Sequence, residues 1–164
     1  MTCARFLSFF DMKKYLFLIF VLLFAFVLVS CDTGYTHCEM TLPLDKSYDR
    51  IHYDGFDASF SDGAAIVGML RISFSAGFNQ GIPETMNPRE FANFWKNRVG
   101  RDEAIKLDRV TPYYTYNEEG YFYVNGFYRS QNAYFVVLLA CPEESYNEYY
   151  EKFLDILDGA TLEK

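Results

Sequence analysis

Side chains that commonly carry acid–base or metal chemistry are sparse in this sequence. Its 164 residues include two histidines, His37 and His52. Asp49 and Asp54 flank His52 and could join it as metal ligands, but one imidazole among loop carboxylates is more typical of a solvated surface. No Cys-x-x-Cys, His-Glu-x-x-His, Gly-x-Ser-x-Gly or glycine-rich phosphate motif occurs. We therefore expect no metal site, no cofactor and no catalytic residue.

Two pairs of adjacent glutamates are the remaining candidates for catalysis. Glu118-Glu119 lies at an expected turn, and Glu143-Glu144 comes just before an expected helix. Two carboxyl groups held about 5–10 Å apart in a cleft can hydrolyse a glycosidic bond. Negative charge before a helix is also favourable in itself, because the helix dipole attracts it. The pairs thus have an ordinary structural explanation, and a hydrolase is the alternative reading.

Tyrosines provide the sharpest indication of binding. Tyr114 and Tyr116 share one face of an expected strand, and Tyr121 and Tyr123 share one face of the next. If that face is open to solvent, the four rings form an aromatic platform suited to a sugar or a peptide. If helices cover it, the rings are core residues whose hydroxyl groups reach water. Both readings are open from the sequence.

A charged and apolar segment near the start is typical of an export signal. Lys13 and Lys14 precede the uncharged residues 15–29. A membrane-spanning helix needs about 20 apolar residues, so this run is short for a span but fits a secretory signal. Met12 is the expected true start, because signals normally open on their positive residues.

The end of the apolar run indicates the kind of signal. Leu28-Val29-Ser30-Cys31 resembles the lipobox of bacterial lipoproteins. The resemblance implies cleavage after Ser30 and a diacylglyceryl thioether on Cys31. Each buried CH₂ of such an anchor contributes about 0.8 kcal/mol, so two or more acyl chains hold a domain stably at a membrane. We expect a signal peptide over residues 1–30, a lipidated tether over 31–37, and a single domain over 38–164 on the extracytoplasmic face of a bacterial cell membrane.

The net charge of the remaining chain argues against partners that are themselves strongly negative. Removal of Arg5, Lys13, Lys14 and Asp11 leaves 12 basic and 21 acidic residues, a net charge of −9 with neutral histidines. Such a balance argues against binding to nucleic acid and against binding to anionic lipid through a polybasic patch.

Two cysteines remain besides the one expected to be lipidated. Cys38 and Cys141 either form a disulfide or are two small apolar residues near strand ends.

Hydrophobic periodicity predicts an α+β fold. Its strands are expected at residues 39–43, 56–60, 64–74, 110–116, 121–129 and 133–140, with turns at 61–63, 117–120 and 130–132 and loops at 46–55 and 75–86. One helix begins at Pro88 behind an Asn87/Glu90 capping box and ends near Gly100. A second begins near Ser145, with Glu148 completing another capping box, and ends at Gly159. An antiparallel sheet of about six strands flanked by helices follows.

These elements resemble the PsbP-like fold, an α-β-α sandwich. The resemblance is carried by residues 57–63 before the long strand, by residues 134–144, and by the amphipathic helix that runs to Leu157, and it spans about 38–162. Members of that fold are mostly non-catalytic adaptors, so the resemblance implies binding. The resulting hypothesis is a lipid-anchored binding or accessory domain with a protein or glycan partner in the cell envelope. The alternative is a small extracellular hydrolase that acts on glycan or peptide.

Overall fold

The computed structural model describes residues 35–37 and 39–163. The expected signal peptide, the expected lipidation site Cys31 and the possible disulfide partner Cys38 lie outside the described residues. None of the helices in the described part is long and apolar enough to cross a bilayer.

A six-stranded antiparallel sheet forms the centre of the domain. Its strands are β3 Asp49–Ile51, β4 Ala58–Ser61, β5 Ile66–Ser73, β6 Tyr113–Glu118, β7 Tyr121–Arg129 and β8 Ala133–Pro142. Their spatial order is β3-β4-β5-β8-β7-β6, so the chain builds one half of the sheet, leaves it, and returns to add the other half. The central strands pair over their whole length, with Leu70 opposite Val136 and Phe127 opposite that same valine on the other side.

A second, smaller sheet joins the two ends of the described chain. It consists of β1 Tyr35–His37, β2 Met40–Leu42 and β9 Thr161–Leu162, in the order β1-β2-β9. Met40 and Leu42 are fully buried in the larger hydrophobic core. β1 begins inside the segment that the sequence assigned to the tether, and β9 carries no strand signal that sequence reading detected.

Three helices complete the domain: α1 Phe74–Asn79, α2 Pro88–Arg98 and α3 Tyr146–Gly159. α3 covers one face of the large sheet with Phe153, Leu154 and Leu157, within the larger core. α2 packs on the opposite face, where Phe91 and Ala92 belong to a separate core cluster. The expected architecture, an antiparallel sheet of six strands with helices on both faces, is therefore confirmed. The strand expected at residues 39–43 belongs to the smaller sheet instead, and β3 takes its place in the large one.

Helix α2 matches its sequence signals closely. The Asn87 side chain accepts a hydrogen bond from the Glu90 backbone at 3.0 Å, and the Glu90 carboxylate accepts one from the Asn87 backbone at 2.9 Å. Pro88 occupies the first turn, where its missing N–H has no cost. Gly100 has a φ of 73°, a conformation that ends helices readily at glycine. The first capping box is thus confirmed.

The second capping box, at Ser145, is wrong. Pro142 leads into a 3₁₀ turn over Glu143–Ser145, and Ser145 makes no side-chain capping hydrogen bond. Its φ and ψ of −92° and 3° are not the extended values of an N-cap, so its hydroxyl group is not directed at the first turn of α3.

Two segments expected to be loops contain regular structure. Residues 75–86 were expected to be irregular because of Gly77 and Gly81, but α1 forms there, with the Ser73 hydroxyl accepting a hydrogen bond from the Ala76 backbone at 3.2 Å. Gly77 is buried against Ile82, so its small size serves packing. The polar stretch 46–55 contains edge strand β3, which is specified by backbone pairing with β4 and has no apolar alternation.

Cys141 lies in the larger core, fully buried, with a free thiol. Burial raises the pKa of this thiol to about 11, so it stays protonated at neutral pH. Because Cys38 lies outside the described residues, a Cys38–Cys141 disulfide stays a prediction.

A candidate binding groove beside helix α2

The four tyrosines singled out in the sequence lie together on one face of the large sheet. Tyr116 and Tyr123 are directly opposite each other on β6 and β7, and their rings stack with centroids 4.7 Å apart. Tyr114 adjoins Tyr116 at 5.9 Å, and Tyr121 adjoins Tyr123 at 6.3 Å. We call these four residues the tyrosine ladder. It runs from beneath α2 to the open edge of the sheet.

Burial changes steadily along the tyrosine ladder. Tyr114 is 2% exposed, Tyr116 and Tyr123 are half-buried, and Tyr121 is 42% exposed. Both readings of the sequence therefore describe part of the ladder. Its inner end is core, because α2 lies over it, and its outer end is an accessible aromatic surface because α2 ends at Arg98 and no other helix covers this corner in the described chain.

Arg101 closes the ladder on the β6 side. Its guanidinium lies 3.9 Å from the centre of the Tyr116 ring and forms an ion pair with Glu118. The hydrogen bond to Glu118 is the main reason why the Arg101 pKa is raised. Burial raises the pKa of the Tyr116 hydroxyl, whereas Asn125 and Arg101 act in the opposite direction. Contacts with the Arg101 guanidinium and with the Tyr123 ring hold the Tyr116 ring in place.

Next to the ladder lies a cavity of about 360 Å³, which we call the aromatic groove. Its floor is the middle of the sheet, and its sides come from three parts of the chain: the ladder, the end of α2 with the residues after it, and the loop before β4. The lining residues are Gly55, Phe56, Leu70, Trp95, Val99, Arg101, Tyr114, Tyr116, Asn125, Val136 and Leu138. A cavity of this size is within the range of small-molecule sites.

A glycine in β5 positions one wall of the groove. A Cβ atom at Gly68 would lie 2.7 Å from the Phe56 ring, closer than real side chains approach. Because Gly68 has no side chain, the Phe56 ring can lie directly on the sheet at this point. Tyr53 lies beside it, with the two ring centres 6.0 Å apart. The wall opposite the tyrosine ladder is therefore aromatic as well.

The polar group that distinguishes the groove from an ordinary core is Asn125. This residue is 3% exposed and lies on β7 between Tyr114 and Leu138. Among the described residues, none forms a hydrogen bond of normal geometry with its Nδ2 atom. The amide opposes the rise that burial causes in the Tyr116 pKa, but its geometry falls short of a hydrogen bond. A buried amide donor without a partner costs about 1–3 kcal/mol.

The other candidates from the sequence do not converge on a site. His52 forms an exposed contact of 3.2 Å with Asp54, and no cluster of three metal-ligating residues occurs in residues 39–163. Glu119 and Gly120 form the tight β6–β7 turn, both with positive φ. Glu143 accepts a hydrogen bond from Asn117 at 2.6 Å, and Glu144 lies in the 3₁₀ turn. Glu118 pairs with Arg101 on the ladder face of the sheet, whereas Asn117 and Glu143 meet on the opposite face. The two glutamate pairs therefore do not face a common cleft.

One cavity does have two carboxylates, Asp45 and Asp155, beside Lys152 on the opposite side of the domain. The hydroxyl of Ser47 donates to Asp45 and lowers its pKa. A general acid requires the reverse, a carboxyl group whose pKa is raised. In the described part of the chain, the carboxyl groups with displaced pKa values are Glu39, Asp45 and Asp62, and each is lowered.

Sequence reasoning did not identify Asn125, Phe56 or Arg101 as members of a site. Asn125 had one detectable signal, since it is a polar residue in the middle of the otherwise apolar and aromatic strand β7. Phe56 and Arg101 come from irregular segments more than 40 residues apart, and only the folded chain places them on the same groove. Trp95 packs against the core cluster under α2 and also lines the groove.

Comparison with known proteins gives the fold alone. No protein-family model and no curated protein matches the sequence. A crystal structure from Bacteroides thetaiotaomicron is similar over 77% of this chain, with 9% identity and a TM-score of 0.51. This chain spans 46% of that protein's length. The solution structure of cyanobacterial PsbP (CyanoP) from Synechocystis is similar over 79% of this chain and 91% of its own, with 9% identity and a TM-score of 0.44. Neither likeness indicates a function.

Proposed function

We propose that this protein is a membrane-tethered binding domain without catalytic activity, and that the aromatic groove is its binding site. The observation that carries this proposal is the groove itself: a cavity with aromatic walls, hydrogen-bond donors and no carboxylate among its lining residues. Binding sites are typically concave, largely apolar and equipped with a few polar groups that orient the ligand. The groove has all three properties.

The alternative, a carboxylate-dependent hydrolase, receives less support. Its strongest candidate is the cavity with Asp45 and Asp155, but Asp45 is already satisfied by the Ser47 backbone at 2.7 Å as well as by the Ser47 hydroxyl. A carboxylate held ionised in this way is a poor proton donor to a leaving group. The residues of that cavity also include Lys152, which bonds Glu148 on the surface of α3 at 3.0 Å.

The proposed membrane tether depends on lipidation of Cys31. When the full-length gene is expressed in a bacterium fed radiolabelled palmitate, we expect label in the membrane-bound protein and none after Cys31→Ser. A matched substitution, Cys141→Ser, removes a thiol from the core of the domain and should leave lipid incorporation unchanged. Unlabelled wild-type protein, or mass spectrometry showing residues 12–30 still attached, would contradict the anchor.

Binding at the groove can be followed through Trp95, the single tryptophan of the chain. We expect fractions of a native envelope extract to change the Trp95 emission of the full-length protein in detergent. Leu138→Phe, which fills the groove floor, should remove the response. Tyr146→Ala should keep it, because Tyr146 packs against Phe122 on the opposite face of the sheet.

Two results would count against the proposed function. If no fraction changes the emission of the wild-type protein, the groove has no ligand in the envelope. If the protein instead hydrolyses a glycan or peptide in a fraction with turnover, and Asp45→Asn or Asp155→Asn abolishes that turnover, the protein is a hydrolase.

A further inference from the structure

We infer that the aromatic groove binds a flat, uncharged molecule that contains a ring and places a carbonyl-type oxygen against the Asn125 amide. This inference rests on the proposed function and specifies the chemistry of the ligand. It follows from four features of the groove: the nature of its walls, the unsatisfied donor, the local charge and the size.

The walls favour a flat ring. Phe56 lies on one side of the groove floor, and Tyr116 lies on the other, supported by Tyr123. Trp95 closes the third side from α2. Ring faces have a negative quadrupole and prefer offset-stacked or edge contacts with other flat groups. A flat ligand above Leu138 would contact these walls while covering the apolar floor.

The unsatisfied donor favours an acceptor on the ligand. Asn125 is buried in β7, and its Nδ2 atom has no hydrogen bond of normal geometry to any described residue. A ligand oxygen at this point would remove the cost of the unmet donor and add a hydrogen bond in a site of low dielectric. A purely apolar ligand would leave the amide unsatisfied and bind more weakly.

The local charge favours an uncharged acceptor over an anion. Arg101 is the cation among the groove's lining residues, and Glu118 already neutralises it through their ion pair. The negative charge of Glu103 also raises the pKa values of Arg101 and Tyr114. The Glu103 Oε2 atom is buried without a partner among the described residues. Two carboxylates thus offset the charge of one guanidinium, Glu118 by direct contact and Glu103 without one. A ligand carboxylate would meet net negative charge, whereas a ketone, amide or ether oxygen would not.

The size permits a ligand of about two fused rings. The cavity measures about 360 Å³. A cavity of about 150 Å³ is enough for benzene, so the groove has room for a bicyclic ring with a short substituent.

Three naphthalenes of nearly equal shape test this inference: 2-acetylnaphthalene with a neutral acceptor, 2-ethylnaphthalene without one, and 2-naphthoate with a charge. Their affinities for the full-length protein are measured by equilibrium dialysis. We expect 2-acetylnaphthalene to bind about tenfold more tightly than 2-ethylnaphthalene, because one buried donor is satisfied. We expect 2-naphthoate to bind more weakly than 2-acetylnaphthalene.

Asn125→Leu separates the amide from the rest of the groove. This variant should bind 2-acetylnaphthalene and 2-ethylnaphthalene equally, because the donor is gone while the apolar walls remain. Without ligand it should unfold about 2–5 °C higher than the wild type, since no unmet amide is buried. Asn97→Leu, an exposed substitution on α2, is the matched control and should keep the tenfold preference.

Several outcomes would overturn the inference. They are equal affinity of the wild type for the acetyl and ethyl compounds, a preference that persists in Asn125→Leu, and tightest binding of the naphthoate. If none of the three binds but an envelope fraction still changes Trp95 emission, the ligand class is wrong and the binding function stands. If neither the probes nor the extract has an effect, both proposals fail.

Discussion

Phe91→Ala is expected to lower the free energy of unfolding by about 3–5 kcal/mol, the typical cost of removing a buried aromatic ring. Phe91 is fully buried between α2 and the sheet. Its ring stacks on Tyr134 with centroids 4.2 Å apart and meets the edge of Phe127 at 5.8 Å. Since small domains are stable by only about 5–15 kcal/mol, the loss is a large part of the total.

The same substitution should also remove binding at the groove. Phe91 contacts Trp95 on the same helix, with ring centres 6.0 Å apart, so a loosened α2 no longer holds Trp95 at the groove. Urea denaturation followed by Trp95 emission measures the loss of stability, and the Trp95 response to envelope fractions in the absence of urea measures the loss of binding. Val99→Ala, at a half-exposed position beyond the end of α2, is the control and should cost less than about 1 kcal/mol. A Phe91→Ala protein as stable as this control would contradict the packing described for α2.

Gly126→Ala is expected to give the second largest effect, on the opposite face of the sheet. A Cβ atom at Gly126 would lie 2.5 Å from Leu157 Cδ2 and 3.0 Å from its Cδ1 atom. α3 cannot easily move aside, because the Leu157 carbonyl oxygen accepts hydrogen bonds from Tyr128 at 2.7 Å and Thr111 at 3.3 Å. Overpacking of this kind costs about 1–3 kcal/mol. The thermal midpoint should fall by roughly 4–12 °C.

Gly68→Ala is the matched control for Gly126→Ala, since each adds one methyl group to a glycine in a central strand. Its Cβ would meet the ring of Phe56, which belongs to the loop before β4 and can shift. We expect a smaller loss of stability but a changed groove, seen as a weaker Trp95 response. Calorimetry of the two variants tests the difference. If Gly68→Ala destabilises more than Gly126→Ala, α3 is not held at Leu157 as described.

The two glycines explain in part why one face of the sheet is a closed core and the other carries a groove. Gly126 permits α3 to approach closely and seal the larger core, and Gly68 permits Phe56 to lie on the sheet and form a groove wall. In both places the missing side chain determines what can pack there. On the α3 side the result is a closed interior, whereas on the α2 side the helix covers only part of the face and leaves a cavity.

Much of the architecture was predictable from local signals. The strands expected at residues 121–129 and 133–140 and the Asn87/Glu90 capping box depend on short segments of sequence, and the structure confirms them. The signals failed where backbone pairing or neighbouring turns decide the outcome. β3 has no apolar alternation to detect, and Ser145 is kept from capping by the 3₁₀ turn before it.

The sequence by itself determined the order of strands β4 to β8 and of helices α2 and α3, the acidic charge, and the expectation of a lipid anchor at Cys31, because each depends on neighbouring residues or on composition. Only the tertiary structure decided that the four tyrosines share one face, that α2 covers Tyr114 but not Tyr121, and that Asn125 is buried without a full hydrogen bond. The physical reason is distance along the chain. Phe56, Trp95 and Asn125 are separated by 30 or more residues, and strand pairing together with the packing of α2 and the Phe56 loop on the sheet brings them around one cavity.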